Sequence, residues 1–238
     1  HDYLLCEVMF VYSFYKFERI SDLSIKKNTL LKNLDKLNVK GTILISTEGI
    51  NVNLSQSEEL LNQAVNFIDK EISLEGVHFN KTKCSNIAFE KLKVKIKKEI
   101  IRFDHQISER KNTPFKRVLP KDWDELISGD AQVIDMRNNF EFNLGTFNNA
   151  INLKMINFTD LKDRTDDLDQ LDKKKKTAIF CTGGIRCEKA AEYLSDIGFD
   201  KIFQLEGGII NYLSNTEGES WNGDCFVFDD RILLKSNL

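Results

Sequence analysis

The sequence has few of the residues that build metal centres, disulfide frameworks or membrane spans. Its 238 residues include three histidines and five cysteines, and no two cysteines have the C-x-x-C spacing, so no metal site is predicted. The odd number and wide spacing of the cysteines argue against disulfides and favour a reducing cytoplasm. No apolar run approaches the ~20 residues that cross a bilayer, which argues against a membrane protein.

An excess of basic charge is also missing. Lysine and arginine number 34 against 37 aspartates and glutamates, a net charge of −3, which excludes a polybasic protein but leaves room for a local basic patch. The apolar segment Tyr3–Tyr15 lacks a basic start and a small-residue cleavage site, so we interpret it as a strand rather than a signal peptide. Residue 1 is His rather than Met, and we expect the natural start to have been trimmed or replaced.

The two prolines, Pro114 and Pro120, lie in one polar stretch without hydrophobic periodicity. Proline interrupts helices and sheets, so residues 104–120 are predicted to be a linker. The predicted domains are therefore 1–103 and 121–215, followed by a C-terminal extension over 216–238.

The first half alternates strand and helix patterns. Val8–Phe14 is predicted to be a strand, and leucines at helical spacing predict a helix over 24–38. Two strand runs follow, then Ser55-x-x-Glu58 is interpreted as a capping box that opens a second helix. Strands over His78–Lys83 and Lys93–Phe103 complete a βαββαβ order, which is the ferredoxin-like arrangement.

The second half has short apolar runs separated by helical segments. These runs are Val133–Ile134, Ile151–Leu153, Thr177–Phe180 and Ile202–Leu205. Short buried strands that alternate with helices predict an α/β domain in which helices cover both faces of a parallel sheet.

One loop carries the strongest chemical signal. An apolar strand ends at Cys181, Thr182-Gly183-Gly184-Ile185 follows, and a helix is predicted to begin near Arg186. This geometry directs backbone N–H groups and the positive end of a helix at the cysteine sulfur, which favours a nucleophilic thiolate. A buried inert cysteine is the alternative, but it does not explain the two glycines and the arginine that follow.

Four further residues are predicted to support this loop. Asp135 and Arg137 follow a central strand, at the edge where α/β sheets bind ligands, and we expect them to brace the loop as a pair. Glu141, one turn later, can pair with Arg137 or with Arg186. Cys187 is either a resolving partner of Cys181 or a small packing residue, and the sequence leaves both roles open.

A lysine-rich segment is the candidate RNA-binding surface. Lys91, Lys93, Lys95 and Lys97 alternate with apolar residues, which places the lysines on one face of a strand. They can follow an RNA backbone or protect a sheet edge from aggregation, and the sequence alone slightly favours protection. Lys116 and Arg117 are candidates for extending the same patch.

The segments on which this interpretation depends resemble known families. Cys181–Arg186 is similar to the active loop of rhodanese domains, and Asp135-Met136-Arg137 and Glu206-Gly207-Gly208-Ile209 resemble two other rhodanese signatures. The longer string CTGGIRCEKA resembles the bacterial tRNA uridine hydroxylase family. Three further segments support that resemblance: Ser13–Lys16, Glu48–Asn51 and Phe226–Arg231.

The resemblance implies an enzyme that hydroxylates the wobble uridine, position 34 of tRNA, at C5. It also implies molecular oxygen as co-substrate with no identifiable cofactor, Cys181 as the essential residue, and an acylphosphatase-like first domain. The implied partner is the tRNA anticodon stem-loop, and no obligate protein partner is predicted. Two alternatives remain: a sulfurtransferase that carries a persulfide on Cys181, and a catalytically idle tRNA-binding module. Thr146 departs from the histidine that is frequent there in the family.

Overall fold

The computed structural model describes residues 8–104 and 115–235, and the chain divides into two compact units. Within the described residues, the first unit runs to Ile100 and also includes Asp229–Arg231, and the second unit takes the remainder.

The first unit is one five-stranded sheet covered by two helices. Its elements are β1 (Met9–Phe17), α1 (Leu23–Lys36), β2 (Lys40–Ser46), β3 (Gly49–Ser57), α2 (Glu58–Glu71), β4 (Asn80–Cys84) and β5 (Leu92–Ile96). The strand order is β4-β1-β3-β2-β5, in which β5 lies parallel to β2 at one edge. The predicted ferredoxin-like order is therefore confirmed, and the two strands predicted after the second helix are present as β4 and β5.

The hydrophobic pattern of the helices explains how this unit folds. Leu30 and Leu34 of α1, and Leu61 and Ile68 of α2, are fully buried against the sheet. The predicted capping box at Ser55 is wrong, because β3 continues to Ser57 and α2 begins only at Glu58. The Ser55 hydroxyl instead accepts a hydrogen bond from the backbone N–H of Ala88 at 3.0 Å.

The second unit contains a five-stranded, all-parallel sheet. Its elements are β6 (Phe115–Val118), α3 (Pro120–Ser128), β7 (Gln132–Asp135), α4 (Asn139–Leu144), β8 (Gly145–Phe147), β9 (Ala150–Asn152), a 3-10 helix (Phe158–Asp163), α5 (Thr165–Asp169), β10 (Lys176–Phe180), α6 (Ile185–Asp196), β11 (Lys201–Leu205), α7 (Gly208–Asn215), β12 (Trp221–Gly223), β13 (Cys225–Phe226) and β14 (Leu233–Leu234). The order in the large sheet is β6-β11-β10-β7-β9, and β12 with β8 and β13 with β14 form two small antiparallel ladders.

Apolar side chains fill both faces of the large sheet, as predicted. Consecutive residues of β10 point to opposite faces of the sheet. Ile179 lies in the core that includes α6, and Phe180 lies in the core that includes α3 and α7. This sheet holds the end of β10 at its centre, where Cys181 begins the candidate loop.

The predicted linker over 104–120 is wrong at its C-terminal end. Residues 105–114 lie outside the described residues, but Phe115–Val118 pairs in parallel with β11 as an edge strand of the sheet. The two central residues of this strand, Lys116 and Arg117, are both charged and exposed, so the sequence lacks the apolar alternation that would have predicted a strand. At the other end, the division falls after Ile100, and Phe103 stacks on Phe158 in the core of the second unit. β5 is also shorter than the predicted strand to Phe103.

Most of the described residues beyond 215 belong to the second unit rather than to a separate extension, whereas Asp229–Arg231 belong to the first unit. Trp221 and Cys225 are buried in the same core as Trp123 and Phe147. The β12 strand pairs with β8, so this segment covers one side of the parallel sheet.

Candidate active site

The loop after β10 wraps around the sulfur of Cys181. The side chain is fully buried, and the backbone N–H of Gly184 donates to Sγ at 3.2 Å. Gly184 has φ 96°, a left-handed conformation that favours glycine, and it is the residue from which α6 begins. The positive end of α6 is therefore directed at the sulfur.

These contacts make Cys181 an acidic thiol. Burial alone would raise its pKa, but a hydrogen bond from the Cys187 thiol, the positive charge of Arg186, and the backbone N–H groups of Cys187 and Gly184 outweigh it and lower the pKa to about 6. Cys187 is itself fully buried. Burial is the largest cause that raises the pKa of its thiol, and the hydrogen bond to Cys181 together with the negative charge of Cys181 raises it further. At neutral pH the pair is therefore a thiolate that accepts a hydrogen bond from a thiol.

Arg186 is held by Glu141 in a bidentate ion pair. Its Nη1 and Nη2 donate to the two carboxylate oxygens at 2.7 and 2.8 Å, and Nη2 also donates to the hydroxyl of Thr182 at 3.0 Å. Burial opposes ionisation of Glu141, but the hydrogen bonds and charge of Arg186 lower the pKa of this carboxyl below its usual range. Of the two predicted partners for Glu141, the structure places Arg186 in direct contact.

Asp135 and Arg137 form a second buried pair beside the first. Arg137 Nη2 and Asp135 Oδ2 are 2.7 Å apart, and the backbone N–H of Arg137 donates to Oδ1 at 3.0 Å. The hydroxyl of Thr146 donates to the same carboxylate at 3.0 Å. Arg137 also donates to the carbonyl of Gly145, so this pair ties the end of β7 to β8.

The turn before α7 closes the loop from the other side. The N–H of Ile209 donates to the carbonyl of Cys181 at 3.0 Å. Gly208 has φ 67°, and a Cβ there would lie 2.4 Å from the same carbonyl oxygen, so only glycine permits this approach. The segment Glu206-Gly207-Gly208-Ile209, which resembles a rhodanese signature, therefore holds the residue that carries the sulfur.

Comparison with known proteins identifies the family. Residues 9–100 match the UPF0176 acylphosphatase like domain, and residues 119–215 match the Rhodanese-like domain. A tRNA uridine(34) hydroxylase from Pelagibacter ubique is 40% identical over 237 residues, which cover 96% of this chain and 76% of the relative. A Legionella pneumophila protein of the same name is 38% identical over 231 residues, 95% of this chain and 90% of the relative. The chain belongs to the tRNA uridine(34) hydroxylase family.

Among solved structures, a rhodanese-related protein from Thermoplasma volcanium is 31% identical, with a TM-score of 0.35. The match covers 42% of this chain and 92% of that protein. The two matched domains of the hydroxylase family confirm the predicted pair of an acylphosphatase-like and a rhodanese-like domain.

The candidate RNA-binding lysines of this family member lie in the first unit. Lys93 and Lys95 are exposed on β5, which is an edge strand of its sheet, and the exposed Lys91 and Lys97 flank this strand on either side. Val94 points into the core as predicted, whereas Ile96 is 40% exposed. This placement is compatible with both edge protection and RNA binding, so the role of the lysines stays a prediction.

Lys116 and Arg117 lie in the second unit. Lys116 is exposed, whereas the guanidinium of Arg117 is 2.9 Å from the buried carboxylate of Glu188 in α6. Gln204 donates to Glu188 at 3.3 Å and to the carbonyl of Gly184 at 3.1 Å. Arg117 is thus linked to the Cys181 loop through two side chains.

Sequence reasoning did not find Thr146 and Gln204 as parts of the site. Thr146 lies within β8, and its place in the site depends on strand register rather than on a motif. Gln204 lies in β11 between apolar residues, where a lone buried amide is the available signal. Both residues reach the loop through tertiary contacts between elements that are far apart in the chain.

Within residues 8–104 and 115–235 no group of three or more His, Cys, Asp or Glu side chains is placed to hold a metal ion. In the same residues, no helix combines the length and apolar character that a membrane crossing requires.

Proposed function

We propose that this protein hydroxylates C5 of the wobble uridine, position 34, in tRNA, with molecular oxygen as co-substrate and Cys181 as the essential nucleophile. The anticodon stem-loop is the proposed RNA partner and the cytoplasm the proposed location. The names of the relatives support the substrate and the reaction class. The four cysteines of the described residues are free thiols, which supports a reducing compartment.

The observation that carries the proposal is the buried sulfur of Cys181, which accepts the backbone N–H of Gly184 at 3.2 Å in a loop that lowers its pKa to about 6. A thiolate can add to C6 of a uracil ring: the S–C6 bond forms, the C5–C6 π bond breaks, and the electron pair moves onto C5 and the C4 carbonyl. C5 is then nucleophilic enough to react with oxygen. The base must leave the RNA stack to reach a buried sulfur, as bases in single-stranded loops do.

The reaction must balance around this intermediate. Oxygen adds to C5, and the resulting peroxide anion takes up a proton from solvent to give a hydroperoxide. An external dithiol then supplies two electrons and two protons, which convert the hydroperoxide to the alcohol and water while the dithiol becomes a disulfide. Loss of the C5 proton then expels the Cys181 thiolate and restores the aromatic ring. One oxygen atom is thereby expected in the product and the other in water.

The test is reconstitution with unmodified tRNA, a dithiol reductant and ¹⁸O-labelled oxygen, followed by mass spectrometry of the nucleosides. We expect 5-hydroxyuridine with one ¹⁸O, no product without oxygen, and no product from Cys181→Ser, because the hydroxyl is a far poorer nucleophile. Cys84→Ser is the matched control and should retain activity, since this half-buried thiol lies in the other unit. Product formation by Cys181→Ser, or in the absence of oxygen, would contradict the proposal.

A sulfurtransferase is the second candidate. The Gly184 N–H that donates to Cys181 Sγ would equally stabilise a persulfide anion on the same sulfur. Incubation with thiosulfate and cyanide separates the two functions: thiocyanate production that depends on Cys181, without any hydroxylated nucleoside, would favour sulfur transfer.

A further inference from the structure

Three aromatic rings form a surface cluster that the proposed chemistry does not use. The ring centroids of Phe140 and Phe226 are 5.0 Å apart at 85°, and those of Phe226 and Phe228 are 4.9 Å apart at 87°. Phe226 is half-buried between the other two, whereas Phe140 is 43% and Phe228 66% exposed. We call these three residues the aromatic ledge.

The ledge borders the Cys181 loop. Phe140 directly precedes Glu141, the residue that holds Arg186, in α4. The ring centroid of Phe228 is 5.9 Å from the guanidinium carbon of Arg186. Phe140 is thus the chain neighbour of one member of the buried ion pair, Glu141, and Phe228 contacts the other member, Arg186.

The exposure of the ledge is unusual for this chain. Ten large apolar side chains are exposed within residues 8–104 and 115–235, and the two that are aromatic, Phe140 and Phe228, both belong to the ledge. The larger aromatic cluster around Phe147 is fully packed in the core of the second unit. The ledge is thus an aromatic cluster at the surface, and clustered exposed aromatic groups beside a reactive group indicate ligand binding.

We propose that the aromatic ledge stacks an unpaired nucleobase of the RNA, the neighbour of the base that reaches Cys181. The proposal rests on the proposed function and assigns to it a second base-binding position. Aromatic faces stack on any base, whereas hydrogen-bonding groups select particular ones. Arg186 is already engaged by Glu141, so the free feature of this rim is apolar and planar, which matches a base better than a phosphate.

The test uses a hairpin RNA that carries the fluorescent base 2-aminopurine next to a loop uridine. Stacking on the ledge should quench its fluorescence when the protein binds. Phe228→Leu, which keeps the apolar volume but removes the ring, should abolish the quenching and weaken binding roughly tenfold. Phe228→Tyr should retain both. Ile25→Ala, in α1, is the matched control because Ile25 is 67% exposed, and it should change neither.

Three results would overturn the proposal, and they differ from one another. Unchanged quenching and affinity in Phe228→Leu, with wild-type RNA binding intact, would reject the ledge alone. Failure of the wild-type protein to bind the RNA would reject the proposed function as well. A wild-type dimer in sedimentation that Phe228→Leu converts to a monomer would show that the ledge binds a second copy of the chain. An unchanged thiolate absorbance of Cys181 in every variant verifies that the site itself is intact.

Discussion

The acidity of Cys181 is a property of one residue that can be measured directly. Burial would raise the pKa, and the donors from Cys187 and α6 together with Arg186 lower it to about 6, against about 8.5 for a free cysteine. We predict that ultraviolet absorbance of the thiolate, taken as wild type minus Cys181→Ser, rises with a midpoint near pH 6. A midpoint near that of free cysteine would show that the loop does not stabilise the anion.

The same shift has a consequence for stability. Because the folded-state pKa is depressed, the thiolate contributes its full stabilisation above the unfolded pKa and loses it as the pH falls through the folded value. The difference in unfolding free energy between wild type and Cys181→Ser should therefore grow between about pH 6 and pH 8.5, and urea titrations across that range measure it.

Cys187 donates its thiol hydrogen to Cys181, so the two roles that the sequence leaves open predict different results. Ser also donates a hydrogen bond, and a positioning role predicts that Cys187→Ser retains most activity, whereas Cys187→Ala raises the pKa of Cys181 toward its free value. A resolving role predicts equal loss of turnover in both variants. Single-turnover and multiple-turnover assays on the two variants distinguish these outcomes.

The role of a residue can be predicted from the sequence when its neighbours along the chain form its environment. Cys181, Gly184 and Arg186 lie close together in the sequence, so their spacing was sufficient to predict a loop that stabilises the Cys181 thiolate. Thr146 contacts Asp135 across two strands, and that contact depends on register, which the local sequence does not encode.

Among the elements, α4 and α6 are connected by the buried pair of Glu141 and Arg186. Removal of one partner leaves a buried charge without its counter-ion, so we predict that Glu141→Gln destabilises the protein by about 3 kcal/mol. Asp200→Asn is the matched control: it breaks the exposed pair with Lys174 and should cost less than about 1 kcal/mol. Urea unfolding of both variants gives the comparison.

The pH dependence of this pair gives an independent check. Burial opposes ionisation, but Arg186 holds the pKa of Glu141 below its usual range. The stabilisation by a depressed carboxyl is present above its unfolded pKa of about 4.3 and is lost as the pH falls through the folded value. The wild-type advantage over Glu141→Gln should therefore shrink in acid; an advantage that is independent of pH would show that packing, and not charge, holds α4.

Elements with a long periodic pattern were predictable, and short edge elements were not. The helix α1 was expected over 24–38 and occupies Leu23–Lys36, because several leucines repeat on one face. β6 has four residues, two of them charged and exposed, and its strand character comes from pairing with β11. The Ser55 hydroxyl binds Ala88 instead of capping α2, which is a tertiary contact that overrides a local motif.

For the whole molecule, the reactive cysteine and the basic strand lie in two different units, so each can be altered by mutation without changing the other. The lysines of β5 belong to the first unit and Cys181 to the second, and each unit has a hydrophobic core of its own. The two-domain organisation was predictable from the change in hydrophobic pattern, whereas the exact boundary depends on tertiary packing of Ile101 and Phe103 with the second unit.

If the exposed lysines of β5 contact RNA phosphates, replacement of Lys93, Lys95 and Lys97 by Glu should weaken tRNA binding and flatten its salt dependence. Binding releases counterions from each phosphate that a lysine contacts. Each lost contact should therefore reduce the slope of the logarithm of the binding constant against the logarithm of the salt concentration by about 0.7–0.9. Val94 stays buried, so the melting temperature should change little, and the Cys181 thiolate should titrate as in the wild type because it lies in the other unit.

A control variant with the same change in net charge replaces three lysines of α1 and α2 by Glu: Lys32, Lys36 and Lys70. If both triple variants lose equal affinity, net charge rather than the β5 face is responsible. If neither loses affinity, the lysines protect the open edge of the sheet, and the RNA-binding surface must lie in the second unit near Lys116 and the aromatic ledge.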